Sequence, residues 1–88
     1  MKEIILNYKV INGQLTATLS GKDTITVKEE IKSLGFSWNG DTREWTKAID
    51  ASEFKSLTQT AIEKFSLEAR YGQLKASDEA QAMVKAVM

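Results

Sequence analysis

The chain has 88 residues, of which 42% are hydrophobic and 27% are charged, a composition typical of one small globular domain. Its 12 basic residues equal its 12 acidic residues in number, so a general electrostatic attraction to nucleic acid or to an anionic membrane is not expected. The chain contains no Cys and no His, which excludes a disulfide framework, a thiolate nucleophile, an imidazole base and a His- or Cys-based metal site. We therefore expect a single small domain over residues 1–88 that is not an enzyme and uses no metal ion or cofactor.

The beginning of the sequence lacks the apolar core and the small-residue cleavage site of a signal peptide. No apolar run approaches the roughly 20 residues that a membrane-spanning helix needs. These features predict a cytoplasmic protein with no membrane contact.

The first structural pattern is a hairpin. From residue 4 to residue 11 every second residue is apolar and faces one way, whereas the other face mixes Asn7 and Lys9 with Ile5 and Ile11. Apolar and polar residues alternate again from residue 15 to residue 20, and this period of two is that of a strand. The intervening Asn12-Gly13 pair favours a type I′ turn. A two-residue loop then predicts three apolar pairs across the strands: Val10 with Leu15, Tyr8 with Ala17, and Leu6 with Leu19.

A short helix is predicted next. Thr26 and Glu29 have the spacing of a capping box, and Gly35 is placed where a helix often ends in a left-handed residue. The apolar stripe of this helix consists of Val27, Ile31 and Leu34.

A second hairpin follows, with a loop at residues 39–42. A two-residue or four-residue loop centred on Gly40-Asp41 would place Trp38 opposite Arg43 and Phe36 opposite Trp45.

The remainder is predicted to be helical. Asp50 and Glu53 form another capping pattern, and Gly72 is a candidate end for the helix that they begin. Its apolar positions recur at spacings of three and four: Phe54, Leu57, Ala61, Ile62, Phe65 and Ala69. A last helix begins at Ser77, with a stripe formed by Ala80, Met83, Val84 and Val87. The order β-β-α-β-β-α-α predicts an α+β domain in which a four-stranded antiparallel sheet carries helices packed on one face.

No residue pattern indicates catalysis. Ser52 and Lys55 share a helix face, but such pairs are common and a catalytic Lys requires burial. Asp41 and Glu44 are too few oxygen ligands for a divalent cation. The catalytic and metal sites are therefore predicted to be absent.

Three of the seven aromatic residues, Phe36, Trp38 and Trp45, lie within ten positions of one another. Large aromatic side chains usually fill the core of a small domain, and this interpretation is favoured for Phe36 and Trp45. Trp38 is the more open case, because Arg43 could stack on its ring. The functional interpretation is a stacking platform on which Arg43 and Lys47 contact phosphate or carboxylate groups.

The segment from Trp38 to Trp45 resembles the aromatic–acid–x–x–Thr–Arg–x–Trp motif of the HARP domain, and the resemblance extends over about residues 30–57. A short helix bearing Lys32 precedes the motif, as it does in that family. The helix and hairpin also resemble small modules encoded by phages and mobile elements. HARP domains accompany annealing helicases and nucleases, so the resemblance implies a hairpin that engages DNA through Trp38, Thr42, Arg43 and Trp45.

The sequence thus predicts a non-enzymatic binding module that contacts DNA or a DNA-handling protein through the second hairpin. The predicted binding residues are Trp38, Thr42, Arg43, Trp45 and Lys47. The alternative is a protein-targeted inhibitor or adaptor of the anti-defence type, with no nucleic-acid contact. Zero net charge favours this alternative, whereas the hairpin motif favours the first hypothesis.

Overall fold

A computed structural model describes residues 3–87 of the chain. Its five strands are β1 (Ile5–Ile11), β2 (Gln14–Ser20), β3 (Ser37–Asn39), β4 (Glu44–Ala48) and β5 (Leu74–Ala76). Its three α-helices are α1 (Lys28–Ser33), α2 (Phe54–Phe65) and α3 (Asp78–Lys85). Three short 3₁₀ segments also occur, at Lys22–Val27, Ala51–Glu53 and Ala69–Tyr71. The mixed α+β class is as predicted.

The sheet has the strand order β3-β4-β2-β1-β5, and β5 runs parallel to β1. The prediction of four strands, all antiparallel, is therefore wrong by one strand. β5 has only three residues, too few for a recognisable alternation. Its position depends on distant bonds, in which the Leu6 amide donates to the Gln73 carbonyl at 2.8 Å and the Ser77 amide donates to the Tyr8 carbonyl at 2.9 Å.

The first hairpin is confirmed in register. Each of the three predicted apolar pairs is observed between β1 and β2. Asn12 and Gly13 have φ values of 51° and 76°, the left-handed conformation that a type I′ turn requires at both positions.

One face of the sheet carries the hydrophobic core. Side chains from β1, β2 and β4 form a single cluster with side chains from all three helices. The largest fully buried members of the described chain include Tyr8, Ile4, Leu6, Leu15, Leu19 and Ile31. On the opposite face the Lys9 ammonium and the Glu44 carboxylate form an ion pair of 2.7 Å across β2.

The first helix begins later than predicted. A 3₁₀ segment occupies Lys22–Val27, and the Thr26 hydroxyl donates to the Asp23 carbonyl at 2.7 Å instead of capping α1. The predicted capping box is therefore wrong, because this hydroxyl is used within the preceding turn. Ile31 is fully buried as the apolar stripe predicts, and Gly35 has a φ of 95°.

The second helical region is interrupted. The capping box of Asp50 and Glu53 is confirmed, and the Asp50 amide donates to the Glu53 carboxylate at 3.2 Å. Helix α2 ends at Phe65, before the predicted end at Gly72, and Ser66 takes a left-handed φ of 55°. After this turn Leu67 and Gln73 are both buried, and the chain reaches the edge of the sheet, where β5 lies.

The last helix begins where it was predicted to begin. The Ser77 side chain accepts a hydrogen bond from the Ala80 amide at 3.2 Å, which is the N-cap interaction expected of a serine. Ala80 and Val84 are buried, whereas Val87 is exposed and lies beyond the end of the helix.

The burial of the Tyr8 hydroxyl predicts how the free energy of unfolding depends on pH. Its hydroxyl lies 2.7 Å from the Thr58 hydroxyl, and burial raises the pKa of Tyr8 above its ordinary value of 10.0. The folded chain then holds this proton more tightly than the unfolded chain, so the free energy of unfolding falls as pH rises above the unfolded pKa. Tyr8→Phe removes this contribution, and loss of the hydrogen bond costs about 1 kcal/mol at neutral pH.

Urea unfolding of both proteins between about pH 9 and pH 11 measures this difference, and groups common to both cancel. An equal decline of stability with pH in the wild type and in Tyr8→Phe would contradict the assignment.

Candidate binding pocket at the second hairpin

The second hairpin lies at the edge of the sheet, with β3 outermost and β4 beside β2. Trp38 pairs with Trp45, and Asn39 pairs with Glu44. The predicted pairing of Trp38 with Arg43 and of Phe36 with Trp45 is therefore wrong by two positions.

The shifted register follows from the loop. Four residues, 40–43, join the paired Asn39 and Glu44. The Asn39 side-chain oxygen accepts hydrogen bonds from the amides of Asp41 and Thr42 at 3.0 and 3.4 Å. Arg43 closes the loop with a left-handed φ of 56°. This conformation is uncommon for a side chain other than Gly, Asn or Asp, so the loop length was not evident from turn-forming residues alone.

The aromatic residues of the hairpin have different environments. Phe36 and Trp45 are buried, which confirms that both belong to the core. Trp38 is 53% exposed, although its ring packs edge-on against that of Trp45 at a centroid distance of 5.3 Å. Trp38 is therefore the aromatic side chain of the hairpin that a partner can reach.

A pocket of about 230 Å³ opens between the hairpin and the 3₁₀ segment that precedes α1. We call it the Trp38 pocket, and its lining residues are Thr24, Ile25, Lys28, Trp38 and Trp45. Ile25 is 72% exposed. Two large apolar side chains are thus presented to solvent at the same opening.

Three of the residues that line the pocket carry hydrogen-bond donors without a partner in the described chain. Within residues 3–87, the indole N–H groups of Trp38 and Trp45 have no hydrogen-bond partner, and Lys28 has no salt bridge. The Thr24 hydroxyl already donates to the Gly21 carbonyl at 2.8 Å. Because an indole N–H and an ammonium can only donate, a partner that reaches these groups must carry acceptors.

The indole of Trp45 is of particular interest because this residue is only 7% exposed. No fully buried side-chain nitrogen or oxygen atom of the described residues lacks a partner. The unpaired indole N–H therefore retains some solvent access, and the pocket is an opening that Trp45 lines.

The other predicted binding residues lie in two places. Thr42 and Arg43 are exposed in the loop. Arg43 does not stack on Trp38, since among the described residues the cation over a ring is Arg70 above Tyr71. Lys47 is half-buried, and its ammonium donates to the Leu34 carbonyl at 2.9 Å. This hydrogen bond stabilises the C-terminal end of α1, because Leu34 is the residue that caps it.

Sequence analysis missed three residues of the pocket: Thr24, Ile25 and Lys28. The sequence contained one indication of them. Ile25 is hydrophobic but lies outside the apolar stripe of the first helix, so the predicted helix gave no reason for its hydrophobic side chain. What placed it beside Trp38 is the chain reversal through Gly21, which no local pattern describes.

Among residues 3–87, no three acidic side chains come close enough together to hold a metal ion. In the same part of the chain, no helix is long and apolar enough to cross a membrane. Comparisons with protein-family models, with curated proteins and with solved structures find no match to this chain.

Proposed function

We propose that this protein is a non-enzymatic binding module that contacts DNA through the second hairpin and the Trp38 pocket. The observation that carries the proposal is the juxtaposition of half-exposed Trp38 with largely exposed Ile25 at one apolar opening. Exposed apolar side chains that cluster in a groove are typical of an interaction surface. An aromatic ring at such a surface is also the group on which nucleic-acid bases stack.

Cationic side chains beside the pocket support the same proposal. Lys28 lines the opening, and exposed Arg43 stands two residues before Trp45. Within the described chain neither has an acidic partner, so both can contact phosphate. The HARP resemblance implies the same role for the hairpin, and the separate resemblance of the helix and hairpin to small modules of phages and mobile elements supports an origin of that kind.

A protein-targeted inhibitor or adaptor is the second candidate. It is favoured by the balance of 12 basic and 12 acidic residues and by the apolar lining of the pocket. The salt dependence of the binding affinity distinguishes the two functions. Each phosphate contact contributes a slope of about −0.9 on duplex DNA, or about −0.7 on a single strand, to log K against log[salt]. An apolar protein contact responds little to salt.

Arg43→Ala tests the proposed charge contact. We expect weaker binding to DNA and a salt slope reduced in magnitude by about 0.7–0.9, because one phosphate contact is lost. Fluorescence anisotropy with a labelled oligonucleotide at several salt concentrations measures both quantities. Arg70→Ala is the matched control, because Arg70 is exposed in the turn before β5 and is paired with Glu68.

An unchanged affinity and slope in Arg43→Ala would exclude Arg43 from the contact. Arg43→Gly adds a second comparison, since glycine removes the same charge but adopts the left-handed backbone conformation without steric strain. If Arg43→Ala and Arg43→Gly weaken binding equally, the loss is due to charge and not to loop distortion.

A further inference from the structure

We infer that the Trp38 pocket receives one unpaired base of a nucleic-acid strand, so that the preferred partner is single-stranded and not duplex. This inference rests on the proposed function and specifies the ligand of the same site. It depends on the size of the pocket, on the chemistry of its walls and on the charges around it.

The size of the pocket fits one group of a longer partner. A volume of about 230 Å³ is below the roughly 300–1,000 Å³ of pockets that enclose a drug-sized molecule. The pocket can thus hold one group of a longer partner, while the rest of that partner lies outside. A base in a duplex is stacked and paired, and it must leave the stack before it can enter such a recess.

The chemistry of the walls favours a base over an aliphatic side chain. Trp38 and Ile25 supply apolar surfaces, and Lys28, which also lines the pocket, carries an ammonium donor without a salt bridge in the described chain. A leucine or isoleucine side chain would cover the apolar surfaces but leave the Lys28 ammonium without an acceptor. A base has a flat face that stacks on an aromatic ring and carries acceptor oxygen and nitrogen atoms at its edge.

Two cationic side chains at or beside the opening can contact the neighbouring phosphates. A base that enters the pocket brings one phosphate on each side of its sugar. Lys28 stands at the opening and Arg43 in the adjoining loop, both without an acidic partner in the described chain. Glu29 and Glu30 follow Lys28 in α1, Asp41 lies in the same loop as Arg43, and all three are exposed. Because carboxylates repel phosphate, we expect the strand to make only a short contact.

The test compares three probes of the full chain: a ten-nucleotide oligothymidylate, a ten-nucleotide strand of abasic sites, and a ten-base-pair duplex. Both tryptophans of the chain line the pocket, so tryptophan fluorescence reports its occupation. We expect the oligothymidylate to bind at least about fivefold more tightly than the abasic strand, the lower bound for stacking of one base. We also expect it to bind more tightly than the duplex.

Three variants locate the effect. Trp38→Ala and Ile25→Ala should lower the affinity for oligothymidylate at least about fivefold, to that of the abasic strand, and leave abasic binding unchanged. Ile11→Ala is the matched control, because Ile11 is an exposed isoleucine at the C-terminal end of β1 and does not line the pocket. Unfolding curves of each variant establish that it is folded.

The outcomes separate this inference from the proposed function. Equal affinity for the oligothymidylate and the abasic strand, or tighter binding of the duplex, overturns base insertion but retains DNA contact. Absence of binding to all three probes overturns both and leaves the protein-targeted candidate. A loss of affinity in Ile11→Ala equal to that in Ile25→Ala also contradicts the inference.

Discussion

Gly21→Ala is expected to destabilise the fold by about 3 kcal/mol or more. Gly21 has φ 111° and ψ 153°, a backbone conformation that is essentially restricted to glycine. A Cβ atom at this position would lie 2.2 Å from the carbonyl oxygen of Glu3 and 2.8 Å from its carbonyl carbon. Both contacts are with backbone, so neither can be relieved by turning a side chain. Small domains have a total stability of about 5–15 kcal/mol, so this single methyl group removes a large share.

The same substitution disturbs the Trp38 pocket. The Gly21 carbonyl accepts hydrogen bonds from the Thr24 amide at 3.2 Å and from the Thr24 hydroxyl at 2.8 Å. These bonds hold the turn that presents Ile25. Gly21→Ala should therefore lower ligand affinity even in the fraction of molecules that remains folded.

Urea unfolding followed by circular dichroism measures the change in stability. Gly13→Ala is the matched control, because Gly13 also has a positive φ, of 76°, but a Cβ atom there would meet nothing within 4 Å. We expect that control to cost about 1 kcal/mol, the penalty of the left-handed conformation alone. A cost for Gly21→Ala no larger than that of the control would contradict the close approach to Glu3.

Truncation of the two tryptophans is expected to affect stability and binding to different extents. Trp45→Ala removes a buried side chain from the core and should cost about 3–5 kcal/mol. Trp38→Ala should cost about half as much or less, because Trp38 is 53% exposed. The affinity for oligothymidylate should nevertheless fall at least about fivefold in the Trp38 variant, to that of the abasic strand, since Trp38 supplies the stacking surface.

Parallel measurements of unfolding free energy and of oligothymidylate affinity separate the roles of the two residues. Trp38→Phe is the additional comparison, since it keeps an aromatic ring but removes the indole N–H. We expect intermediate affinity for this variant. The assigned roles would be contradicted if Trp38→Ala were less stable than Trp45→Ala, or if folded Trp38→Ala retained full affinity.

The first hairpin was predictable because everything that determines it is local. Alternation in β1 and β2 fixed the faces, and Asn12-Gly13 fixed the turn. The second hairpin was predictable only in outline. Its register depends on a four-residue loop that closes at Arg43, a residue type that seldom takes a left-handed conformation.

Longer-range structure was less accessible from the sequence. β5 is held by bonds from residues 73–77 to β1, more than 60 positions away. The Trp38 pocket likewise joins two segments, residues 24–28 and residues 38–45, that no single periodic pattern connects. The sequence identified Trp38 as the aromatic residue whose burial was open, but not the neighbours that make it part of a pocket.

The most direct test of the proposed binding site is a ¹⁵N–¹H correlation spectrum of the intact chain, titrated with oligothymidylate at low salt. The chain has two tryptophans, so the spectrum contains two indole signals, and both indole groups belong to residues that line the pocket. We predict that both indole signals shift together with the amide signals of residues 24–28 and 36–47, and that the shifts diminish as salt is added. Unmoved indole signals, or shifts confined to the opposite face of the sheet, would contradict the proposal that the Trp38 pocket is the binding site.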